Sequence, residues 1–484
     1  LYYVSTAIYC VYFHPLSHIP GPTFAKFSKV PFASSLVRGS FHDDIRSMHD
    51  KYGEIIRFTP NHISFTNPEA WKDMYNYNSA VPHFMKDKMN YLTPINGVES
   101  LHSTPNDLDH RRQRRFLSHA FSEKALREQE PLVVSYVDLL VKRLGEEVDG
   151  PNQGKTDLVR WLNWTTFDLV GDLTFGEPFN CLASSDYHPW IAMVFDSMRA
   201  AIWMVASKQF PALDWALERL IPKAVMQKMH DHHNLSVQKM DRRLATKTER
   251  PDFVTYLIER SGGLENINLP EMHSNSTLII LGGSETSATA LSGAIYHLVR
   301  NPEKFERLVK EVRTKIKTKE DFALNDLAHL PYLNACLEES MRIYPPVAGY
   351  LPRTAPKEGC MVAGYFVPPF TQASITPWAI THSKENFKDP DKYFPERWLD
   401  EGIYGEFASD KRAASQPFSV GPRNCIGKNL AWAEMRLILA KLLWNFDITI
   451  DPESDNWTQQ KTYILWQKPP LVLKLRHRSY GSEK

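Results

Sequence analysis

The 484 residues of this chain carry 57 basic and 56 acidic side chains, a formal net charge of +1. The net charge therefore gives no reason to expect that the protein binds nucleic acid or an anionic surface. Hydrophobic residues make up 43% of the chain and aromatic residues 12%, which predicts a large buried core and excludes a disordered protein. No internal repeat, dinucleotide fingerprint or nucleotide-phosphate loop is found.

The first 13 residues, LYYVSTAIYCVYF, are apolar and uncharged, but a bilayer span needs about 20 such residues. They fit either the remnant of a longer membrane anchor or a buried helix. Residues 14–22, HPLSHIPGP, predict a stiff, extended connector because prolines disfavour helix. This order favours an anchor at 1–13, a Pro-rich connector at 14–22 and a catalytic domain at 23–484.

Beyond the connector, residues 54–65 alternate around a Pro-Asn turn and predict a β-hairpin. Prolines accumulate between 344 and 424, where short strands and turns are expected. Apolar residues recur every three to four positions elsewhere, which predicts helices at 123–144, 157–175, 190–206, 211–247, 251–260, 274–300, 302–317, 331–343 and 428–445.

The five cysteines are scattered, with no C-x-x-C pair or zinc-like spacing, as expected in a reducing compartment. Cys425 differs from the others because it precedes a predicted helix. The positive helix end, backbone N–H groups and Arg423 would all favour its thiolate. Gly421 and Gly427 permit close approach of a flat ligand. The loop either presents one sulfur to a metal or is a structural turn.

The helix predicted at 274–300 is interrupted by Gly282 and Gly283. Two interior glycines lower the stability of a helix by about 2 kcal/mol relative to two alanines. Their presence therefore indicates a structural or functional role. One interpretation is a kink or a close helix crossing. The other is a loosened turn in which Glu285 and Thr286 pass protons to a bound oxygen species.

Two charged segments have ordinary interpretations by themselves. Glu339 and Arg342 are spaced as a surface ion pair of a helix. Residues 109–115, DHRRQRR, are typical of a solvated face. A nucleic-acid patch is disfavoured by the balanced charge and by the lack of a matching module.

Residues 418–427 read F-x-x-G-x-R-x-C-x-G, and this motif resembles the haem-binding signature of the cytochrome P-450 monooxygenases. The resemblance extends from the connector to the last strand-like segment. It implies a mainly α fold in which a helical domain and a small β-rich part enclose haem b. It also implies that Cys425 is the axial thiolate of the iron and that Arg423 holds a haem propionate.

Other residues receive roles by the same resemblance. Thr286 and Glu285 match the hydroxyl and acid of the oxygen-activation segment. Arg397 matches the arginine that closes the Glu339–Arg342 pair, so these three are expected to be structural. The remaining residues expected at the haem are Arg114, His110, Arg353, Phe418, Gly427 and Gly283. His110 departs from the family, which has tryptophan there, although histidine can still donate a hydrogen bond.

The implied reaction inserts one atom of O2 into an organic substrate. Since no flavin or dinucleotide signature is present, electrons are expected from a separate NADPH-cytochrome P-450 reductase or similar donor. This acidic donor would dock on the basic residues Arg111, Arg112, Arg115 and Lys428. A haem-thiolate isomerase or dehydratase is a rival that the Glu285–Thr286 pair disfavours, and a non-catalytic haem-binding protein is another.

The substrate pocket is expected to be apolar and to suit a medium-sized hydrophobic molecule. By resemblance it is lined by 84–98, the stretch before Gly282, 347–350 and the neighbourhood of Tyr463 and Ile464. The chain resembles the membrane-bound fungal members that modify secondary metabolites. We therefore expect a monomer in the endoplasmic reticulum membrane, with its catalytic domain on the cytosolic side and no nucleic-acid partner.

Overall fold

The computed structural model describes residues 1–77, 82–186, 189–211, 214–216 and 223–478. Most of this chain is helical. The helices of eight residues or more are α3 (Val30–Arg38), α4 (Phe41–Tyr52), α6 (Asp107–Leu117), α7 (Glu123–Asp149), α8 (Leu158–Phe175), α10 (Pro189–Lys208), α11 (Lys223–Ala245), α12 (Phe253–Ser261), α13 (Leu269–Val299), α14 (Pro302–Lys315), α16 (Pro331–Ile343) and α19 (Lys428–Asn445). The shorter ones are α1 (Tyr2–Ile8), α2 (Thr23–Phe27), α5 (Glu69–Tyr75), α9 (Cys181–Ser184), α15 (Leu324–Leu327), α17 (Pro377–Thr381) and α18 (Asp400–Ile403).

The strands are short and form four small sheets. They are β1 (Ile55–Thr59), β2 (His62–Phe65), β3 (Met85–Lys86), β4 (Lys155–Asp157), β5 (Leu351–Thr354), β6 (Cys360–Val362), β7 (Tyr365–Val367), β8 (Gln372–Ile375), β9 (Phe446–Ile450), β10 (Thr462–Tyr463), β11 (Leu465–Trp466) and β12 (Val472–His477). The five-stranded sheet has the order β1-β2-β8-β5-β3, and the three-stranded sheet has the order β4-β12-β9. Only β2 and β8 pair in parallel among the described strands.

The core is built around α8 and α13, which pack along each other. Every residue of α8 except Arg160 is buried. Helix ends are set locally: Asp157 accepts a hydrogen bond from the Val159 N–H, and Asn268 accepts one from the Glu271 N–H. Such caps satisfy backbone donors that the helix itself leaves unpaired.

The predicted elements agree with the structure in most of the described chain. The hairpin at 54–65 is β1 and β2, and short strands follow residue 344 as expected. The predicted helix 211–247 corresponds to α11 from Lys223 onward, and its residues 212–213 and 217–222 lie outside the described residues. Two predictions were wrong. Residues 14–19 of the connector form hydrogen-bonded turns rather than an extended chain, because Leu16 and Ile19 are buried against the protein. The two glycines do not interrupt α13, which is a continuous α-helix.

Helix α13 is long and apolar enough to cross a membrane by length and composition, yet 67% of its most apolar window is buried within the protein. A buried core helix passes the same test, so we assign α13 to the core. The N-terminal 13 residues form α1 and a π-helical turn from Tyr9 to Phe13, with only Cys10 buried.

Candidate active site

The cysteine loop is held closely against α5. The Cys425 N–H donates a hydrogen bond to the Phe418 carbonyl over 2.9 Å, which closes the loop. Gly421 has φ +75°, and a Cβ added there would lie 2.0 Å from the Tyr75 carbonyl oxygen. Only glycine permits both this conformation and this contact. The loop ends at Gly427, the N-cap residue of α19.

The Cys425 side chain has exposed surface, yet burial by the surrounding protein raises the pKa of its thiol. Both properties belong to a side chain that lines an internal space shielded from bulk water. The Gly427 N–H, Arg114 and Lys428 lower the pKa but do not offset burial. The backbone N–H and nearby cations thus favour the thiolate as expected, although burial outweighs them, and Arg423 is not among the groups that act on the thiol. A bound metal would displace the proton directly.

The two glycines of α13 have different surroundings. A Cβ at Gly283 would lie 3.0 Å from both methyl carbons of Val170, whereas a Cβ at Gly282 would meet nothing within 4 Å. Gly283 therefore permits the close crossing of α8 and α13. Gly282 is exposed, and Leu278, Ile279 and Thr286 on the same face are only half-buried, so we call these four residues the uncovered stripe of this mostly buried helix.

Glu285 and Thr286 lie on different faces of α13. The Thr286 hydroxyl is part of the uncovered stripe and donates to the Gly282 carbonyl over 2.7 Å. Glu285 is buried, and its carboxylate forms an ion pair with Lys468 and accepts a hydrogen bond from Thr289 over 3.3 Å. Burial raises the pKa of Glu285, although Lys468 lowers it. Sequence reasoning missed Lys468 because no motif links it to a residue 183 positions away.

A cluster of cations lies at the edge of the five-stranded sheet. Lys86 on β3 is the cross-strand partner of Arg353 on β5, and both are buried. Like charges at directly opposed positions destabilise a sheet. Arg353 donates to the Tyr91 hydroxyl over 2.8 Å, and the Lys86 ammonium contacts the His102 carbonyl. Within the described residues, no carboxylate forms an ion pair with Lys86 or Arg353.

These unbalanced charges perturb their neighbours. Burial, with Arg353 and Arg423, holds the pKa of Lys86 well below its usual value. Lys86, with burial, does the same to the pKa of His102, whose side chain still has exposed surface. Burial and nearby cations lower the pKa of His110 to about 3. His110 is therefore neutral, and His102 lines an internal space as Cys425 does. Sequence reasoning did not identify Lys86 or His102.

Two further predicted residues connect this cluster to the cysteine loop. Arg114 donates to both the backbone and the side-chain oxygens of Asn424. Arg423 is paired with Asp107 over 2.9 Å and also donates to the Thr104 carbonyl over 2.8 Å. Phe418 packs near Trp432, with 6.1 Å between the ring centroids. The two arginines thus lie beside the internal space while protein acceptors occupy part of their donor groups.

The structure brings together Glu339, Arg342 and Arg397, all of which are fully buried. Glu339 accepts from Arg342 over 2.8 Å and from Arg397 over 3.0 Å. Arg397 also forms an ion pair with Asp410. Although burial alone would raise the pKa of Glu339, the two arginines lower it overall. The group therefore joins α16 to residues 394–410 and is not the surface ion pair that spacing alone suggested.

The donor set of the internal space fits haem b. One cysteine sulfur is available to bind the iron, the uncovered stripe of α13 offers an apolar wall, and the buried charges of Lys86 and Arg353 would be balanced by anions such as two propionates. No group of three His, Cys, Asp or Glu suited to a metal occurs in the described part of the chain. A metal held here would thus need ligands from another group, as porphyrin provides.

Comparison with known proteins agrees with this geometry. The family model described as Cytochrome P450 matches residues 20–475. The cytochrome P450 monooxygenase astJ of Aspergillus oryzae is 41% identical over 479 residues, covering 98% of this chain and 95% of the relative. The cytochrome P450 monooxygenase astA of Talaromyces wortmannii is 40% identical over 478 residues, covering 99% and 95%. Averantin hydroxylase of Dothistroma septosporum is 39% identical over 484 residues, covering 99% and 90%. With a match along almost its whole length, the chain belongs to the cytochrome P450 family and is a monooxygenase that uses haem b.

Proposed function

We propose that this monooxygenase hydroxylates, epoxidises or cyclises a medium-sized hydrophobic natural product in fungal secondary metabolism. The observation that carries the proposal is Cys425, a thiol that lines an internal space while the rest of its loop is packed against α5. The names of the relatives support oxidation of an organic molecule, since one relative is by its name a hydroxylase of averantin.

In this proposal the Cys425 sulfur would bind the haem iron, and the cation cluster would hold the haem propionates. Arg353 and Lys86 have buried positive charges without a carboxylate partner in the described chain, so they gain most from these anions. His110, being neutral, donates one ring N–H. Arg114 and Arg423 keep the cysteine loop attached to α6 and to residues 104–107. Bound haem supplies the activation of O2, by which one oxygen atom enters the substrate and the other leaves as water.

Thr286 and Glu285 handle protons beside this centre. The Thr286 hydroxyl donates its hydrogen to the Gly282 carbonyl, so its oxygen lone pairs remain free to accept a hydrogen bond on the uncovered side. Glu285, one residue away, is a buried acid whose raised pKa suits proton exchange. Its ion pair with Lys468 holds this acid in place on a different face of the helix from Thr286.

The substrate pocket of the proposal is apolar. Leu278, Ile279 and Gly282 leave one wall uncovered. At another wall Ile464 is 45% exposed and has φ +79°, a strained conformation for a β-branched residue. An apolar molecule covering Ile464 would be stabilised by burial of that surface.

Electrons come from a separate NADPH-dependent reductase in this proposal. Arg111, Arg115 and Lys428 are exposed on α6 and at the start of α19, and they offer positive charge to an acidic partner. Arg112 contributes less because it forms a two-point ion pair with Glu271. Residues 1–13 would anchor the chain in the endoplasmic reticulum membrane, and residues 14–22 would separate the anchor from the catalytic domain on the cytosolic side.

The test is the absorption spectrum of the reduced protein exposed to carbon monoxide. We expect the strongly red-shifted haem band typical of thiolate ligation, and its loss in Cys425→Ala. Cys360→Ala is the matched control, since Cys360 is another partly exposed cysteine and the band should persist. A band typical of histidine ligation in the parent, or an unchanged band in Cys425→Ala, would contradict the proposal.

A further inference from the structure

A cleft of about 320 Å³ lies between α6, α12 and the start of α13, and we call it the α6–α13 cleft. Phe116, Leu117 and Met272 form its apolar lining, and Gln113 and Asn275 are among its polar residues. In the described chain it shares no lining residue with the cysteine loop or the uncovered stripe. Since ligand pockets hold about 300–1,000 Å³, the cleft suits a small organic molecule and is separate from the space at Cys425.

The charges that line the α6–α13 cleft are unbalanced. They belong to the cations Arg112, Arg115 and Arg260 and to one carboxylate, Glu271. Arg112 occupies both oxygens of Glu271, over 2.8 and 2.5 Å. Among the described residues, Arg115 and Arg260 form no ion pair. Because a guanidinium group binds carboxylates and phosphates with paired hydrogen bonds, the cleft favours an organic anion.

Gln113 offers a further hydrogen-bond donor to this anion. The residue lines the cleft and is 3% exposed. Its amide nitrogen donates to the Glu99 carbonyl over 3.1 Å, and its Oε1 accepts from the Asn275 amide over 3.0 Å. An amide nitrogen carries two hydrogens, so one of them has no acceptor among the described residues. A carboxylate fits this set of donors, since its two oxygens accept several hydrogen bonds.

Arg115 belongs to the α6–α13 cleft and to a second surface. It follows Arg111 by four residues, so the two arginines share a face of α6, and both belong to the surface proposed above for the reductase. Arg115 lines the cleft, whereas Arg111 does not. An anion bound in the cleft would therefore neutralise Arg115 and lower the positive charge offered to an acidic reductase.

We propose that the α6–α13 cleft binds a small organic carboxylate with an apolar body, and that its occupation weakens docking of the reductase. The carboxylate pairs with Arg115 and Arg260, and the apolar body lies against Phe116, which is half-buried in the free cleft. The effect on docking rests on the proposed function, whereas binding to the cleft does not.

The first measurement is the affinity of the haem-loaded, full-length chain for naphthalene carboxylate, by isothermal titration calorimetry. Naphthalene carboxamide is the control, because it has almost the same shape without the charge. We expect the carboxylate to bind more tightly than the amide, and Arg260→Gln to weaken its binding about tenfold, the usual contribution of a hydrogen bond to a charged group.

The matched control for Arg260→Gln is Arg127→Gln. Arg127 is an exposed arginine of α7 that does not line the α6–α13 cleft, so its variant should bind the carboxylate as the parent does. The carbon monoxide band must be unchanged in every variant compared, which shows that haem and fold are intact. The haem absorbance must also stay constant during the titration, since entry of the probe into the space at Cys425 would change it.

The second measurement is the rate of NADPH oxidation as a function of reductase concentration, at constant ionic strength. We expect saturating naphthalene carboxylate to raise the KM for the reductase at least about twofold with kcat unchanged, because neutralising a charge at the rim of an interface slows association. The amide should change neither value. In Arg260→Gln the same concentration of carboxylate should change the KM less than in the parent.

Equal affinity of the parent and Arg260→Gln for the carboxylate, or equal affinity of the parent for carboxylate and amide, would overturn the site. If the carboxylate binds the cleft and the KM for the reductase stays constant, the effect on docking is wrong. Arg111→Gln and Lys428→Gln then identify the cause. A raised KM in these two variants retains the proposed docking surface and rejects only its link to the cleft, whereas an unchanged KM rejects the docking surface itself.

Discussion

At the scale of single residues, the buried charges of this protein occur in two kinds of arrangement, with and without a partner of opposite charge. Glu339 and its two arginines form a balanced group. Lys86 and Arg353 oppose each other on paired strands, with no carboxylate ion pair in the described chain. Burying a charge without a partner is costly, so an imbalance of this kind indicates where a charged ligand binds.

Lys86→Met should therefore have opposite effects on the haem-free and the haem-bound protein. Removing one of two facing cations relieves repulsion and raises the thermal midpoint of the haem-free chain. It also removes a propionate partner, so less haem remains per chain after purification. Calorimetry and haem absorbance measure the two effects. Lys88→Met, at an exposed position nearby, should change neither, and a stable haem content in Lys86→Met would contradict the assignment.

Glu434 on α19 gives a second prediction at this scale. It is 1% exposed, and burial raises the pKa of its carboxyl group from 4.5 to about 8, which a hydrogen bond with the Ser287 side chain opposes only in part. Between these two values the folded chain retains a proton that the unfolded chain releases. The free energy of unfolding therefore falls as pH rises through this window, by at most about 1.4 kcal/mol per pH unit.

Thermal unfolding of the parent and of Glu434→Gln across pH 5 to about 9 tests this sign. The amide does not titrate, so the stability of the variant relative to the parent should rise with pH and become constant above the pKa of Glu434. Parallel stability curves for the two proteins would show that Glu434 is ionised in the folded state.

At the scale of elements, the crossing of α8 and α13 fixes the position of the uncovered stripe. Of the two interpretations of the glycine pair, the close helix crossing was correct for Gly283, whereas Gly282 faces open space. The expectation of a loosened turn was wrong because the helical hydrogen-bond pattern continues through the pair.

Substitution by alanine should affect the stability of the protein differently at the two glycines. In Gly283→Ala the new methyl group would press on buried Val170, 3.0 Å away, and we expect a loss of about 1–3 kcal/mol. Gly282→Ala is the matched control, since alanine there meets nothing within 4 Å and gains up to about 1 kcal/mol of helix propensity. Chemical denaturation measures both. The double variant Gly283→Ala with Val170→Ala should recover stability, and failure to do so would place the strain elsewhere.

At the scale of the whole molecule, buried ion pairs hold together parts that are far apart in sequence. Glu339 on α16 joins Arg397, and Arg397 joins Asp410. These contacts fix residues 394–410 against the core, upstream of the cysteine loop.

Glu339→Gln should destabilise the folded chain by about 3–5 kcal/mol, because it leaves Arg342 buried without its counter-charge and leaves Arg397 with Asp410 alone. Limited proteolysis between 386 and 424 and the thermal midpoint measure the loss. Glu146→Gln removes an exposed partner of Arg143 and should cost about 1 kcal/mol or less. Equal effects of the two substitutions would refute the special role of the buried group.

The sequence by itself determined most of the long helices, though not α3, α4 and α6, together with the first hairpin and the position of the loop around Cys425. These features depend on residues within a few positions of each other, through apolar periodicity, prolines and glycines. Resemblance of the motifs then indicated the family and haem, and comparison along nearly the whole chain confirmed both.

Only the tertiary structure decided the partners of the charged residues. Lys468 pairs with Glu285, Lys86 faces Arg353, and Arg423 binds Asp107. Each pair joins residues more than 180 positions apart in the chain, where local pattern carries no information about contact. The energy of a charged group depends on how far it is buried and what lies beside it, and packing of the complete chain sets both.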